Sequence, residues 1–182
     1  MDRRTAARLI SAIPTKSITR MKLAIFTTGG TIDKVYFDAK SDYKVGEPQI
    51  KSILDRVGVT FPFDVTELFY KDSLDMTEAD RRLIVDAVAS ADTDRVIVTH
   101  GTDTMVETAK ALKDRVGQVK TVVLVGSLTP ARFRETDAEF NIGVAVGAVQ
   151  SLPFGVYLAM NGRVFDPESV RKNRAENRFE PI

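Results

Sequence analysis

The sequence contains no cysteine and only one histidine, His100. Without cysteine the chain can form no disulfide, offers no thiolate nucleophile and cannot build a cysteine-based zinc or iron–sulfur site. One histidine cannot form a histidine metal cluster, so we expect His100 to have a structural role. The composition suits a reducing compartment, and we expect a cytoplasmic protein that needs no metal or other cofactor.

The sequence also lacks a charge excess and long apolar runs. Lys and Arg total 26 against 25 Asp and Glu, a formal charge of +1 that provides no field for capturing nucleic acid or an anionic membrane. The longest apolar stretches, such as Ile142 to Val149, fall far short of the ~20 residues that a membrane span needs. We therefore expect neither nucleic acid nor membrane as a partner.

The length and composition indicate one folded domain. Apolar residues make up 43% and charged residues 28% of the 182 residues, close to the averages for globular proteins. Met1 to Arg20 is rich in arginine and lacks the continuous apolar segment of a secretory signal, so we interpret it as a disordered N-terminal extension. No repeat or linker divides residues 21–182, which we predict to form a single α/β domain.

Apolar strand patterns alternate with amphipathic helix patterns along the chain. The predicted strands are Lys22 to Thr28, Phe63 to Tyr70, Arg95 to Thr99 and Thr121 to Val125; the predicted helices are Gln49 to Val57, one opened by a capping box at Thr77 to Asp80, Met105 to Leu112 and Asp137 to Val149. Gly155 to Met160 and Arg163 to Phe165 flank an Asn-Gly turn, which predicts a C-terminal β-hairpin. The pattern predicts an open, mostly parallel sheet with helices on both faces, Rossmann-like or flavodoxin-like.

Hydroxyl residues follow three of the predicted strands, at the edge where open parallel sheets bind ligands. Gly29-Gly30 after the first strand can present backbone amides to an anion, although such a pair is also typical of a simple tight turn. Asp103, beside Thr102 after the third strand, offers an anion next to a hydroxyl, or else it caps the helix that begins near Met105. Ser127 and Thr129 follow the fourth strand.

Several common catalytic templates are absent from the sequence. It contains no G-x-x-x-x-G-K-[ST] loop, no G-x-G-x-x-G fingerprint and no G-x-S-x-G elbow, so nucleotide-binding and esterase templates do not apply. The spacing of the carboxylates does not suggest a magnesium site.

The hydroxyl-bearing segments resemble the signature motifs of L-asparaginases. The first motif is Thr28-Gly29-Gly30-Thr31-Ile32, and the second is Thr99-His100-Gly101-Thr102-Asp103-Thr104-Met105. The resemblance continues through the segments that begin at Ser41, Ser73 and Val125 and reaches Lys172, so it covers nearly all of residues 21 to 175. It implies hydrolysis of the side-chain amide of L-asparagine to L-aspartate and ammonia.

The resemblance also implies roles for individual residues. Thr31 is the expected nucleophile, with Tyr43 on a mobile loop hydrogen-bonded to it, and Thr102, Asp103 and Lys172 form the expected second catalytic group. Ser73 and Asp103 are expected to hold the α-carboxylate and α-amino group of the substrate, while backbone amides near Gly30 and Thr102 contact the oxyanion. From the residues alone, Tyr43 could be an ordinary loop aromatic, and Lys172 lies in a charge run, Arg171 to Arg174, that usually indicates a solvated tail.

Two departures from the family pattern bear on these expectations. Familiar asparaginases carry a second, smaller C-terminal domain that helps to complete a neighbouring subunit's site, whereas this chain ends at Ile182, a difference expected to affect substrate affinity and assembly. Leu74 stands where many members have Gln after the substrate-binding serine, a change expected to weaken substrate contacts. The alternatives are a glutaminase or amidotransferase-type amidase, and a catalytically silent small-molecule-binding module. By family analogy we expect a homodimer or homotetramer.

Overall fold

The computed structural model describes residues 21–37 and 42–182, apart from the side chains of residues 36, 37, 42 and 43. Its strands are β1 (Leu23–Thr27), β2 (Lys34–Phe37), β3 (Asp42–Val45), β4 (Phe63–Glu67), β5 (Arg95–Thr99), β6 (Thr121–Val125), β7 (Gly155–Met160), β8 (Arg163–Phe165), β9 (Val170–Asn173) and β10 (Arg178–Pro181). Its helices are α1 (Ile50–Val57), α2 (Glu78–Ser90), α3 (Met105–Val116) and α4 (Ala138–Ser151). The expected N-terminal extension, residues 1–20, lies outside the described residues.

The central sheet has the strand order β4-β1-β5-β6-β7-β8. The pairs from β4 through β7 are parallel, and β8 runs antiparallel to β7. Asn161 and Gly162 in the β7–β8 turn both have positive φ, 52° and 71°, as a type I′ turn requires. The open, mostly parallel sheet and the hairpin formed by β7 and β8 are therefore confirmed.

Side chains of each central strand alternate between two apolar clusters, one on each face of the sheet. In β5, Val96 and Val98 belong to the cluster that contains residues of α2 and α3. Ile97 between them belongs to the cluster that contains residues of α1 and α4. Because both faces of the sheet are covered by helices, β5 has an uninterrupted apolar run from Val96 to Val98, and the prediction of helices on both faces is confirmed.

Most element boundaries agree with the predicted ones within two residues, and two differ by more. The capping box at Thr77 and Asp80 is present at the start of α2. Helix α3 continues past Leu112 to Val116, because Val116 extends the same buried face by one turn. Strand β4 ends at Glu67, three residues before Tyr70, after which the chain turns toward Ser73.

Among the helices of the described residues, none combines the length and the apolar character that crossing a membrane would need.

Two hairpins outside the central sheet were not predicted from the sequence. β2 pairs with β3, and β9 pairs with β10, both in antiparallel register. Val170 and Phe179, each 3% exposed, join β9 and β10 to the cluster on the α2–α3 face. The charge run Arg171 to Arg174 therefore lies in and just after a packed strand, and its interpretation as a solvated tail is wrong.

The strand order reverses between β1 and β5. The next sheet strand in the chain after β1 is β4, on one side of β1, whereas β5 lies on the other side and leads on to β6 and β7. At such a switch point the loops that follow the two strands diverge and leave a crevice at the carboxyl ends. The loops that carry Thr31 and Thr102 follow these two strands.

Candidate active site

Three loops are in backbone contact at the carboxyl ends of β1 and β5. Gly30 has a φ of 94°, which residues with a side chain rarely adopt, and a Cβ added there would lie 2.5 Å from the Cα of Gly101. A Cβ added to Gly101 would in turn lie 2.6 Å from the Oγ of Ser73. The two glycines therefore permit the close approach that brings Thr31, Ser73 and Thr102 to one place.

Ser73 joins the segment after β4 to the loop after β5. It is 1% exposed and begins a short 3-10 turn, in which the Asp72 carboxylate accepts a hydrogen bond from the Leu74 amide at 3.1 Å. The Ser73 Oγ accepts from the Asp103 amide at 3.2 Å, and its carbonyl accepts from the Thr104 hydroxyl at 2.8 Å. The two residues expected to hold the substrate's α-carboxylate and α-amino group are therefore direct neighbours.

Lys172 on β9 contacts the same loop. Its Nζ donates to the Thr102 Oγ1 at 2.7 Å and to the Asp103 Oδ1 at 2.9 Å. The Lys172 side chain is 11% exposed and that of Asp103 is 26% exposed, so the ion pair is largely shielded from water. Asp103 does not cap α3: the cap residue is Thr104, which makes no side-chain capping bond. The structure thus brings together the three residues of the expected second catalytic group.

A second cation, Arg174, lies on the same carboxylate and was not found from the sequence. Its Nε is 3.3 Å from the Asp103 Oδ1, the oxygen that also accepts from Lys172. No signal in the sequence pointed to it, because Arg174 stands in the turn after β9, where the two-residue alternation of a strand does not set the side to which a side chain points. The carboxylate expected to receive the substrate's amino group thus has two cationic neighbours in this structure.

Thr31 begins a 3-10 turn, Thr31–Asp33, directly after the Gly30 contact, and its side chain is partly exposed. Its carbonyl accepts from the backbone N–H of Lys34, where the β2–β3 hairpin begins. The backbone of Tyr43 lies in β3, opposite Tyr36. The Tyr43 side chain lies outside the described atoms, so its hydrogen bond to Thr31 stays a prediction.

Asp33 is a buried carboxyl group two residues after Thr31, and no pattern in the sequence pointed to it. It is 1% exposed; its Oδ1 accepts from the Gln49 amide at 2.9 Å, and its Oδ2 has no hydrogen-bond partner among the described residues. Burial raises the pKa of this carboxyl to about 7. The negative charge of Glu67 also raises this pKa, whereas the hydrogen bond from the Gln49 amide lowers it. The Asp33 carbonyl also accepts from the Gly46 amide at 2.8 Å, so Asp33, which directly precedes the β2–β3 hairpin, is bonded to the segment that follows the hairpin.

His100 is fully buried beneath the loop that carries Thr102 and Asp103. Its Nδ1 lies 2.7 Å from the Gly101 carbonyl and its Nε2 lies 2.9 Å from the Thr108 Oγ1. Burial lowers the pKa of His100 to about 4. The positive charge of Arg81 also lowers this pKa, whereas the hydrogen bond to the Gly101 carbonyl raises it. A neutral, doubly hydrogen-bonded imidazole supports the expected structural role.

The loop after β6 adjoins the loop that carries Thr31, because the Ala131 amide donates to the Ile32 carbonyl at 3.0 Å. The Asp137 carboxylate accepts from the backbone amides of Leu128 and Thr129 at 3.0 Å, and the buried Ser127 hydroxyl donates to the Thr129 carbonyl at 2.6 Å. These bonds are internal to the loop and to the start of α4. Ser127 and Thr129 therefore fix the shape of the loop itself.

The sequence matches the family model described as Asparaginase, N-terminal, over residues 22–180. It is 32% identical to L-asparaginase 2 of Escherichia coli (strain K12) over 180 residues, which cover 91% of this chain and 50% of that protein. It is 33% identical over 160 residues to a glutamyl-tRNA(Gln) amidotransferase component of Aeropyrum pernix, covering 80% of this chain and 36% of that protein.

Among solved structures, the fold is similar to that of the thermostable L-asparaginase from Thermococcus kodakarensis. The TM-score is 0.77 at 27% sequence identity, and the match covers 89% of this chain and 51% of that chain. The chain thus spans about half the length of the L-asparaginases that it matches.

Proposed function

The chain belongs to the asparaginase family, and from that premise we propose that it hydrolyses the side-chain amide of L-asparagine to L-aspartate and ammonia, with Thr31 as the nucleophile. The observation that carries the proposal is the position of the Lys172 ammonium, which bridges the Thr102 hydroxyl and the Asp103 carboxylate beside the loop that bears Thr31. In this proposal the ammonium is a proton donor and Asp103 is its counter-charge, at the edge of the sheet where such folds bind ligands.

In the proposed reaction the Thr31 Oγ attacks the carbonyl carbon of the substrate amide and forms a tetrahedral oxyanion, which backbone amides near Gly30 and Thr102 stabilise. The C–N bond then breaks, and the nitrogen leaves as ammonia after it receives a proton. Water attacks the resulting ester on Thr31, which releases the aspartate carboxylate and restores the hydroxyl. Tyr43 is proposed to hold and return the Thr31 proton.

Lys172 and Asp103 are proposed to control the proton on Thr102. Because the ammonium donates to the Thr102 Oγ1, the hydrogen of that hydroxyl is available to a bound substrate. Asp103 supplies the counter-charge of this ammonium in a site that is only slightly exposed to water. In this role the pair moves a proton to or from Thr102 while Ser73 and Asp103 hold the polar end of the substrate.

The test is ammonia release from L-asparagine by the purified protein, compared with the variants Thr31→Ala and Thr60→Ala. Thr60 is exposed and lies between α1 and β4, so its substitution controls for a loss of any threonine. We expect turnover in the wild type and in Thr60→Ala and none above background in Thr31→Ala. Peptide mapping after rapid acid quenching should find the aspartyl ester on Thr31; an ester on Thr102 would contradict the proposed order of attack.

A second candidate is an amidase that releases ammonia from glutamine, as a glutaminase or an amidotransferase component does. The similarity to a glutamyl-tRNA(Gln) amidotransferase favours keeping it, and Leu74, 63% exposed beside Ser73, supplies no polar group to select the shorter amide. The ratio of kcat/KM for L-glutamine and L-asparagine decides between the two. Silence on both substrates, together with thermal stabilisation by aspartate, would indicate a binding module instead.

We propose that the protein acts in the cytoplasm as a homodimer or homotetramer on the free amino acid. The absence of cysteine supports the compartment. The exposed apolar side chain of Phe140, which lies against Gly162 at the turn into the edge strand β8, supports self-association. Light scattering at several protein concentrations and cell fractionation test these two statements.

A further inference from the structure

Two short 3-10 turns carry residues of the proposed site. Thr31–Asp33 begins with the proposed nucleophile, and Ser73–Asp75 begins with the serine expected to hold the polar end of the substrate. Lys34 is the residue that ends the first turn, and Asp72 is the residue that begins the second. A substrate held by the second turn is attacked from the first, so the reaction requires that the two turns keep one relative position.

An ion pair joins the two turns. The Lys34 Nζ lies 2.7 Å from the Asp72 Oδ2, and both side chains are about a quarter exposed, at 26% and 28%. At the backbone, the Lys34 N–H donates to the Thr31 carbonyl. The other oxygen of Asp72 accepts from the Leu74 amide at 3.1 Å. One charged contact therefore connects the turn that carries the nucleophile to the turn that carries Ser73.

The β2–β3 hairpin, which carries Tyr43, begins at the same lysine. Among the described residues its two strands pair only with each other, and a two-stranded hairpin alone is marginally stable in water. At its base the Gly46 amide donates to the Asp33 carbonyl at 2.8 Å. Lys34, the first residue of β2, adds a contact with a different part of the chain, the segment that follows β4. The ion pair can thus set the orientation of a hairpin that no other strand holds.

The Asp72 carboxylate is held in its charged form. Partial burial raises its pKa, but the hydrogen bonds from Lys34 and Leu74 lower it more, so the pKa lies below its ordinary value. The charge of Lys172 lowers this pKa as well, so the ion pair lies within the field of the expected second catalytic group. Asp72 therefore offers Lys34 a full negative charge at neutral pH.

We propose that Lys34 and Asp72 are positioning residues, whose ion pair holds the Thr31 turn and the Ser73 turn at the separation that attack on the substrate amide requires. Neither residue has to touch the substrate. Loss of the pair lets the two turns move relative to each other, and a displacement of about 1 Å can lower the rate of attack by about 100-fold. The inference rests on the amidase function proposed above.

The rival interpretation is that the pair is an ordinary, partly exposed ion pair with a small effect on stability and none on the chemistry. It predicts the same result as removing a comparable pair elsewhere. Lys113 and Asp166 form such a pair: the Lys113 Nζ lies 2.9 Å from the Asp166 Oδ1. Asp166 also begins a 3-10 turn, Pro167–Ser169, and accepts from the Glu168 amide at 2.8 Å. Lys113→Met is therefore the matched control.

The first experiment measures kcat and KM for L-asparagine in the wild type, Lys34→Met, Asp72→Asn, their double variant, Lys34→Arg and Lys113→Met, well below the lowest melting temperature. Methionine keeps the apolar stem of the lysine, and asparagine keeps an acceptor for the Leu74 amide. We expect both single variants to lower kcat by about tenfold or more and to change KM less than about threefold, since the substrate contacts remain. The double variant should be no slower than the slower single variant, and Lys34→Arg should keep about half of kcat or more.

Three results would overturn the positioning role. The first is a kcat of Lys34→Met within about twofold of the wild type, or a loss that Lys113→Met matches. The second is a double variant whose loss is the product of the two single losses, because the residues would then act separately. The third is a loss that Lys34→Arg shares in full, because an arginine can form the same ion pair.

Hydrogen exchange tests the connection between the turns without turnover. We expect Lys34→Met to speed exchange at the Met76 amide, which closes the second turn, by about threefold or more. Asp72→Asn should speed exchange by a similar factor at the Gly46 amide, at the base of the hairpin. The His100 amide, bonded to β6, should be unchanged in both variants and serves as the internal control.

The two experiments fail in different ways. If no amide is hydrolysed but each substitution speeds exchange on the opposite turn, the amidase function fails and the connection between the turns stands. If neither substitution affects the opposite turn, the positioning role is wrong whether or not L-asparagine is hydrolysed.

Discussion

Lys172 is a charged side chain in a place where little water reaches it. An ammonium that is 11% exposed requires partners, and it has both an anion, Asp103, and a hydroxyl, Thr102. Replacing it with methionine keeps most of the apolar stem and removes only the charge and the donors. The carboxylate of Asp103 would retain Arg174 as a partner, so the folded structure should survive the change.

We predict that Lys172→Met lowers kcat on the preferred amide by at least about 100-fold, the usual contribution of a positioned proton donor, and changes KM much less. The control is Arg171→Gln on the same strand, where the guanidinium is 65% exposed and pairs with Glu180. Steady-state kinetics with the two variants measures the effect. A Lys172→Met protein that is folded and keeps more than half of the wild-type kcat would rule out this role.

Asp33 and His100 have opposite effects on stability as the pH changes. The pKa of Asp33 is about 7 in the fold and 3.8 in the free residue, so between these values the folded protein holds a proton that the unfolded chain has lost. The pKa of His100 is about 4 in the fold and 6.5 in the free residue, so between these values the unfolded chain holds the extra proton. Rising pH therefore lowers the unfolding free energy through Asp33 and raises it through His100.

From pH 4 to 6.5 these two contributions should nearly cancel, and single variants should reveal them. Relative to the wild type, Asp33→Asn should gain stability as the pH rises, and His100→Gln should lose it, each by about 1.4 kcal/mol per pH unit. Urea unfolding at pH 4.5, 5.5 and 6.5 measures both slopes. Two variants with slopes parallel to the wild type would mean that neither group titrates as its burial indicates.

At the scale of elements, the site depends on loops that touch through glycine. Gly30 combines a positive φ with a Cβ position 2.5 Å from Gly101, so even a methyl group must move one of the two loops. Gly143 in α4 is the matched control, because it is exposed and a Cβ there meets nothing within 4 Å. The same chemical change thus has opposite consequences at the two positions.

We predict that Gly30→Ala lowers the unfolding free energy by at least about 2 kcal/mol and abolishes turnover. Gly143→Ala should instead raise it by up to about 1 kcal/mol, since alanine favours the helix, and leave kcat unchanged. Denaturant unfolding and the ammonia assay on both proteins measure these effects. Full activity in Gly30→Ala would show that the contact between the two loops is not needed.

The elements predictable from the sequence are those whose burial is continuous. Arg95–Thr99 and Thr121–Val125 were predicted with their observed bounds, because the middle of a strand covered on both faces is an uninterrupted apolar run. The expectation that the hydroxyl-bearing loops lie at one edge of the sheet followed from the same strand assignment. Open parallel sheets place such loops together, so the proximity of the loops that carry Thr31 and Thr102 could be anticipated, whereas Ser73 was expected there only from the family resemblance.

The hairpins were not predictable, because their stability comes from contacts distant in the sequence. β9 contains Arg171 and Lys172, a composition typical of solvent-exposed chain, and the burial of Lys172 arises from a loop about seventy residues earlier. Only Val170 and Phe179 carry an apolar signal there, too sparse to indicate a strand pair. For the same reason the Arg174 contact and the buried Asp33 became evident only in the folded chain.

At the scale of the whole molecule, the two apolar clusters share one sheet. Val122 and Val123 are neighbours on β6, both fully buried, and they point into opposite clusters. If a central strand separates from the sheet, its side chains are removed from both clusters at once, so neither cluster can unfold alone. The described domain should therefore unfold in a single cooperative transition.

We predict that Val122→Ala and Val123→Ala each lower the melting temperature of that one transition by similar amounts, about 4 to 8 °C for a loss of roughly 2 kcal/mol of buried packing. Calorimetry and far-UV circular dichroism should give coincident curves in both variants. If Val122→Ala instead produced an early transition that left the packing around Val123 intact, the two faces would be separate folding units. The site at the sheet edge would then depend mainly on the α2–α3 face, since Val170 and Phe179 anchor the Lys172 hairpin to it.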